Sequence, residues 1–250
     1  MTATSDTFPG YGGTPLALHR LGAGRPVVLL HGLFSSAEMN WLRFGHAALL
    51  AEAGFEALMP DLRAHGASAA PHDPAAYPPD VLVRDAEALI AHLGLGRFDL
   101  VGFSLGARTA ARAVLSGMEP RRLVLAGMGL EGLAGWARRS AFFLDVIARA
   151  GTIRSGDPAY MAQQFMKTMK VDREAVRLLL GSMEDTPASE VSRIRVPTLV
   201  LCGRDDHDNG SADALAAALP DARRATIPGT HMTSVTRFEL GRELVAFLSP

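Results

Sequence analysis

At 250 residues the chain has ample length for one sizeable α/β domain, and 48% apolar residues place it among globular rather than disordered proteins. A formal net charge of −1, with arginines scattered among carboxylates, provides no basic stripe to neutralise phosphates and argues against nucleic acid as a partner. No apolar run approaches the roughly 18 residues of a membrane span, and the single cysteine, Cys202, can make neither an internal disulfide nor a multi-cysteine metal site.

Residues 1–13 carry neither the basic nor the apolar region of a secretory signal, so the cytoplasm is the expected location and a membrane is not an expected partner. A first strand is predicted over 16–21. Pro26-Val27-Val28-Leu29-Leu30 is a continuous apolar run of the kind buried in a sheet covered on both faces. Residues 38–53 read as one helix, 55–59 as a strand and 80–93 as a helix with Leu82, Leu89, Ile90 and Leu93 on one face.

The strand predicted over 98–101 runs directly into Gly102-Phe103-Ser104-Leu105-Gly106, and a helix of small residues (Ala107, Ala110, Ala111, Ala113) follows at once. A serine at so sharp a strand-to-helix turn has its hydroxyl pushed out of the sheet and its backbone forced into a sparsely populated conformation. Gly102 and Gly106 suit the turn because strand end and helix start come too close there for a side chain.

Another strand is predicted over 123–126. From 130 to 193 only helical patterns occur, over 136–150, 158–170 and 173–183. The strand signal then returns at 196–201, followed by a helix over 211–219, a strand over 224–227 and a helix over 238–248. Repeated βα units imply an α/β fold with a mostly parallel central sheet flanked by helices. The predicted organisation is a core formed by 1–129 and 194–250, with 130–193 inserted between two strands as a small all-helical lid. Such a lid belongs over the carboxyl ends of the strands, where open α/β sheets place ligands.

Several motifs, in this order, resemble the α/β-hydrolase family, and the resemblance runs from 26 to 247. His31-Gly32-Leu33 directly follows a buried strand, like the family's oxyanion-hole loop. Pro60-Asp61-Leu62-Arg63-Ala64-His65-Gly66-Ala67-Ser68 is similar to its Asp-Leu-Arg-Gly-His-Gly-x-Ser segment, with Ala64 in place of the usual glycine. Gly203-Arg204-Asp205-Asp206 resembles the acid loop, and Pro228-Gly229-Thr230-His231 the histidine loop, with Thr230 where a glycine is frequent. The order serine, aspartate, histidine is the order this family uses.

A serine hydroxyl is a poor nucleophile near neutral pH and needs a base within hydrogen-bond reach, a role that falls to His231. A carboxylate behind the imidazole holds its tautomer. Asp206 fits the Gly-x-x-Asp spacing, with Asp205 second and Glu131 third. The acidic cluster of Asp205, Asp206 and Asp208 lacks the spacing and glycine of a calcium loop. The expected oxyanion donors are the amides of Leu105 and Leu33, or Phe34 if the loop is shifted by one. His31 and His65 are expected to bond loop backbone, and His19, His46, His72, His92 and His207 to have surface or packing roles. The resemblance implies neither metal nor organic cofactor.

The lid segment is rich in apolar side chains, among them Trp136, Phe143, Phe165, Met166 and Leu179, most of which serve its own packing at helical spacing. The remainder line the cleft beneath, so the expected substrate is a small-molecule ester with a largely apolar acyl or alcohol part. Carbon-carbon bond cleavage, lactone opening, thioester hydrolysis, peracid formation and slow turnover in a ligand receptor are compatible with the same residues. The related haloalkane dehalogenases and epoxide hydrolases attack with a carboxylate, whereas position 104 is serine. The pattern assigns no oligomeric state and no arginine or lysine to an anion clamp.

Overall fold

The computed structural model of the chain describes residues 2–249, so the first and last residues of the predicted core, Met1 and Pro250, lie outside the described residues. Eight strands form one sheet: β1 Thr4–Pro9, β2 Pro15–Gly22, β3 Arg25–Leu30, β4 Phe55–Pro60, β5 Asp99–Phe103, β6 Leu123–Ala126, β7 Thr198–Gly203 and β8 Ala222–Ile227. Their order is β1-β2-β4-β3-β5-β6-β7-β8. Strand β2 runs antiparallel to both neighbours, and every pairing from β4 to β8 is parallel. This is the mostly parallel α/β sheet that the alternating pattern implies.

The apolar runs of β3, β5, β6 and β7 follow from burial on both faces. Val28, Leu30, Leu100, Leu125 and Val200 point into one core, and Val27, Leu29, Val101, Val124 and Leu201 into the other, with the two-residue period of a strand. Burying each such side chain contributes roughly 1.5–3 kcal/mol before the entropy of ordering it. Helices α2 Val81–Leu93, α3 Leu105–Leu115 and α9 Ala212–Ala218 cover the first face. Helices α1 His46–Glu52 and α11 Phe238–Leu248 cover the second. Between β6 and β7 lie only helices: α4 Leu130–Ala134, α5 Trp136–Ala148, α6 Tyr160–Thr168, α7 Arg173–Gly181 and α8 Ala188–Val191. Among the described residues no helix is long and apolar enough to cross a membrane.

Besides adding short helices such as α4 and α8, the structure departs from the sequence reading in two places. Strand β1 was not expected, because it is an edge strand whose residues are exposed apart from Phe8 and whose pairing with β2 supplies the order. The single helix expected over 38–53 is two pieces, a wide helical turn over Glu38–Leu42 and α1, separated at Gly45 with φ 79°. The break seats Trp41 in the core and brings the Asn40 side-chain carbonyl to the amide of Gly32 at 3.1 Å.

Candidate active site

Ser104 sits between β5 and α3 with φ 53° and ψ −112°, a conformation that costs a non-glycine residue on the order of 1–3 kcal/mol. The turn closes because its flanks are bare. A Cβ on Gly102 would lie 2.2 Å from the Gly106 carbonyl carbon, and one on Gly106 would lie 2.1 Å from the Leu30 carbonyl oxygen. The Ser104 amide donates to the Ala126 carbonyl at 2.8 Å, which anchors the strained residue to the neighbouring strand.

His231 opens α10 His231–Ser234, just after β8. Thr230 caps this helix: its hydroxyl accepts from the Thr233 amide, and its own amide donates to Thr233 Oγ1 at 2.8 Å. Thr230 has φ −84°, so this position needs no glycine. Nε2 of His231 lies 3.0 Å from Ser104 Oγ, and Nδ1 lies 2.9 Å from Asp206 Oδ2. The residue is 7% exposed, and its ring packs against Phe103 with centroids 5.2 Å apart. Because the carboxylate can only accept, Nδ1 carries the proton and Nε2 offers its lone pair to the hydroxyl. An imidazole so placed can take the hydroxyl proton.

Asp206 lies in the turn after β7, its amide bonded to the Gly203 carbonyl and its carboxylate buried. None of the three other acids bonds to the ring. Asp205 and Asp208 are exposed, and Glu131 accepts from the Ser211 amide at 2.7 Å.

The loop after β3 is held by two buried histidines. His31 Nδ1 donates to the Gly32 carbonyl at 2.8 Å while its Nε2 accepts from the Leu62 amide at 2.9 Å. His65 Nδ1 donates to the Arg63 carbonyl at 2.9 Å and its Nε2 accepts from the Phe34 amide at 3.0 Å. Burial pushes both rings toward the neutral form, His65 to about 3. Asp61 accepts from the amides of Ala37 and Ala67. Burial alone would raise its carboxyl, but His19, His31 and those amides outweigh it and hold it at about 2. Ala64 has φ 65°, which explains why a glycine is usual there. With Gly32 bonded to Asn40 and Phe34 to His65, the amides of Leu33 and Leu105 have no partner among the described residues.

Two cavities meet at Ser104. One of about 190 Å³ is lined mostly by apolar groups, including Met39, Phe44, Phe165, Met232 and Val235. The other, about 20 Å³, lies among Leu33, Leu105, Arg108, Trp136, Arg139, Phe143 and Asn209. The inserted helices thus contribute Trp136, Phe143 and Phe165 to the walls, while Met166 and Leu179 are buried in the core that also holds the first face of the sheet. A larger recess of about 650 Å³ on the inserted helices, bordered by Arg154, Lys167 and Lys170, includes none of the residues that meet at Ser104.

Residues 27–239 match the profile of the alpha/beta hydrolase family. The chain belongs to this family. A non-heme haloperoxidase of Rhodococcus erythropolis is 28% identical over 94% of this alpha/beta hydrolase and 96% of its own length. The structure of a hydrolase from Pseudomonas aeruginosa superposes with a TM-score of 0.77 at 23% identity, covering 99% of both chains. That of an esterase from Exiguobacterium antarcticum gives 0.75 at 20% identity, covering 99% of this chain and 100% of the other. Both structural likenesses show a shared fold.

The sequence reading of this alpha/beta hydrolase missed Asn40, Asn209 and Arg108. Asn209 Nδ2 donates to the Gly127 carbonyl at 2.8 Å and so steadies the turn beneath His231. Arg108 had a legible signal: four residues after Ser104, its amide donates to the Ser104 carbonyl, one helical turn from the hydroxyl.

Proposed function

We propose that this alpha/beta hydrolase is a serine hydrolase of carboxylic esters working through an acyl-enzyme. Ser104 Oγ attacks the ester carbonyl as its proton passes to His231 Nε2, and Asp206 stabilises the imidazolium that forms. The amides of Leu33 and Leu105 donate to the tetrahedral oxyanion. Collapse breaks the carbon–oxygen bond of the leaving alcohol, which takes the proton from His231. Water then gives a proton to His231 and attacks the acyl carbon, and the acid departs as Ser104 regains its hydrogen. The observation that carries this reading is the chain of contacts from Ser104 Oγ through His231 to Asp206 at 3.0 and 2.9 Å.

In this reading the helices of 130–193 act as a lid, and the apolar cavity accepts the apolar part of the substrate. Similarity to a protein named a haloperoxidase supports one further reading: hydrogen peroxide in place of water at the second step, which would release a peracid.

Ser104→Ala is expected to lower turnover of p-nitrophenyl acetate by at least about 10⁴ while leaving the circular dichroism spectrum unchanged. A fluorophosphonate is expected to label the native protein at Ser104. An undiminished rate in Ser104→Ala, or labelling elsewhere, would refute the assignment.

A further inference from the structure

Two arginines of this molecule are almost completely buried, and the fold treats them differently. Arg63 uses all of its nitrogens, bonding both carboxylate oxygens of Asp85, Thr14 Oγ1 and the carbonyls of Tyr11 and Ala76. That is a guanidinium satisfied by its own protein. Arg108, 1% exposed, makes one hydrogen bond, from Nη1 to the Leu133 carbonyl at 2.8 Å, and lies over the Trp136 ring at 4.8 Å. Its Nε and Nη2 are buried without a partner among the described residues, and no carboxylate comes within ion-pair distance. Burial lowers its pKa to about 10, which leaves it cationic near neutral pH. A buried cation whose donors are idle is strongly unfavourable unless an anion completes it.

Arg108 borders the small cavity that also touches Ser104, Leu33 and Leu105. The other idle polar atom on that wall is again a donor, Nε1 of Trp136. Arg139 lines the same space, its guanidinium over Phe143 at 5.0 Å and without an ion-pair partner among the described residues. Two arginines and an idle indole N–H along this lining favour an anionic acceptor. The space is small, about 20 Å³, so the anionic group that enters it is a compact one.

We propose that this cavity is a carboxylate subsite and that the substrate is a half-ester of a short dicarboxylic acid. Its free carboxylate pairs with Arg108, and its apolar alcohol part occupies the larger cavity beyond Ser104. The assignment rests on the reading of Ser104 as the nucleophile. It goes further in specifying charge at one end of the substrate.

The test compares p-nitrophenyl half-esters of succinic and glutaric acid with neutral esters of the same length and branching. The native protein is expected to favour the charged esters in kcat/KM by about tenfold or more, and Arg108→Met to lose that preference by about 10- to 100-fold. The ratio of charged to neutral substrate is the readout, because partial loss of folding lowers both rates alike. A second arm needs no turnover. Glutarate is titrated into Ser104→Ala and followed by calorimetry, with saturable binding expected and its loss expected in Ser104→Ala carrying Arg108→Met.

No charge preference in the native protein, or a preference and glutarate binding that both survive Arg108→Met, would overturn the subsite. If Ser104→Ala still hydrolyses the esters while preference follows Arg108, the nucleophile fails and the subsite stands. If no ester is hydrolysed at all, the glutarate arm alone decides.

Discussion

The backbone amide of Phe34, held at φ 61°, donates to Nε2 of His65 at 3.0 Å. This bond takes the Phe34 amide out of competition and fixes the loop in the register that leaves the Leu33 amide free. A donor's value to an oxyanion depends on its being held in place before the charge develops. His65→Leu is therefore expected to lower kcat on p-nitrophenyl acetate by about 10- to 100-fold with little change in KM. His65→Gln, which keeps an acceptor, is expected to recover part of that loss. Steady-state kinetics check both, and an unchanged kcat in His65→Leu would remove the loop from the mechanism.

Of the aspartates in the turn after β7, Asp206 is the one bonded to His231. Asp206→Asn presents an amide to His231 Nδ1 and favours the wrong tautomer, so kcat is expected to fall by on the order of 10⁴. Asp205→Asn and Asp208→Asn alter exposed side chains and are expected to stay near the native rate. Rates of the three variants on one ester, measured side by side, distinguish them.

Stability on acidification is expected to follow the buried histidines. Burial lowers the pKa of His31, His46 and His65 in the folded protein, His65 to about 3, whereas an unfolded histidine takes up its proton near 6.5. Their stabilisation is thus complete above about pH 6.5 and is lost as pH falls, each ring costing up to about 1.4 kcal/mol per pH unit. His19, raised chiefly by its hydrogen bond to Asp61, works in the opposite sense, but it is partly exposed and its effect is weaker. Asp61, held at about 2, adds its own loss only below about pH 4. The urea midpoint is expected to decline between about pH 7 and 5, before the carboxylates titrate, and His65→Gln to flatten part of the decline. A flat midpoint over that range would show the rings to be ordinary.

Much of the fold was legible because its central strands are buried on both faces, which writes them as unbroken apolar runs such as Val27 to Leu30 and Leu123 to Ala126. Strand β1 was not, because an exposed edge strand has no such run and owes its order to pairing across the turn with β2. The break at Gly45 was hidden because the apolar residues on either side continue a helical pattern while the chain bends to bury Trp41. At the site, Ser104 and His231 lay in motifs whose spacing carries their chemistry. The crowding of Asp205, Asp206 and Asp208 left the acid to be distinguished by the direction each side chain takes from the turn. The place of Arg108 one turn after Ser104 was legible but its lack of partners was not, since nothing in a sequence says whether a buried guanidinium finds partners inside the fold.

The central claim is a covalent bond to Ser104. A single turnover of p-nitrophenyl acetate in heavy-oxygen water, quenched with acid and mapped by peptide mass spectrometry, tests it directly. The account predicts an acetyl group on the peptide bearing Ser104 and heavy oxygen in the released acetate. Hydrolysis that leaves Ser104 unmodified at every quench time and places heavy oxygen in a protein carboxylate would contradict it.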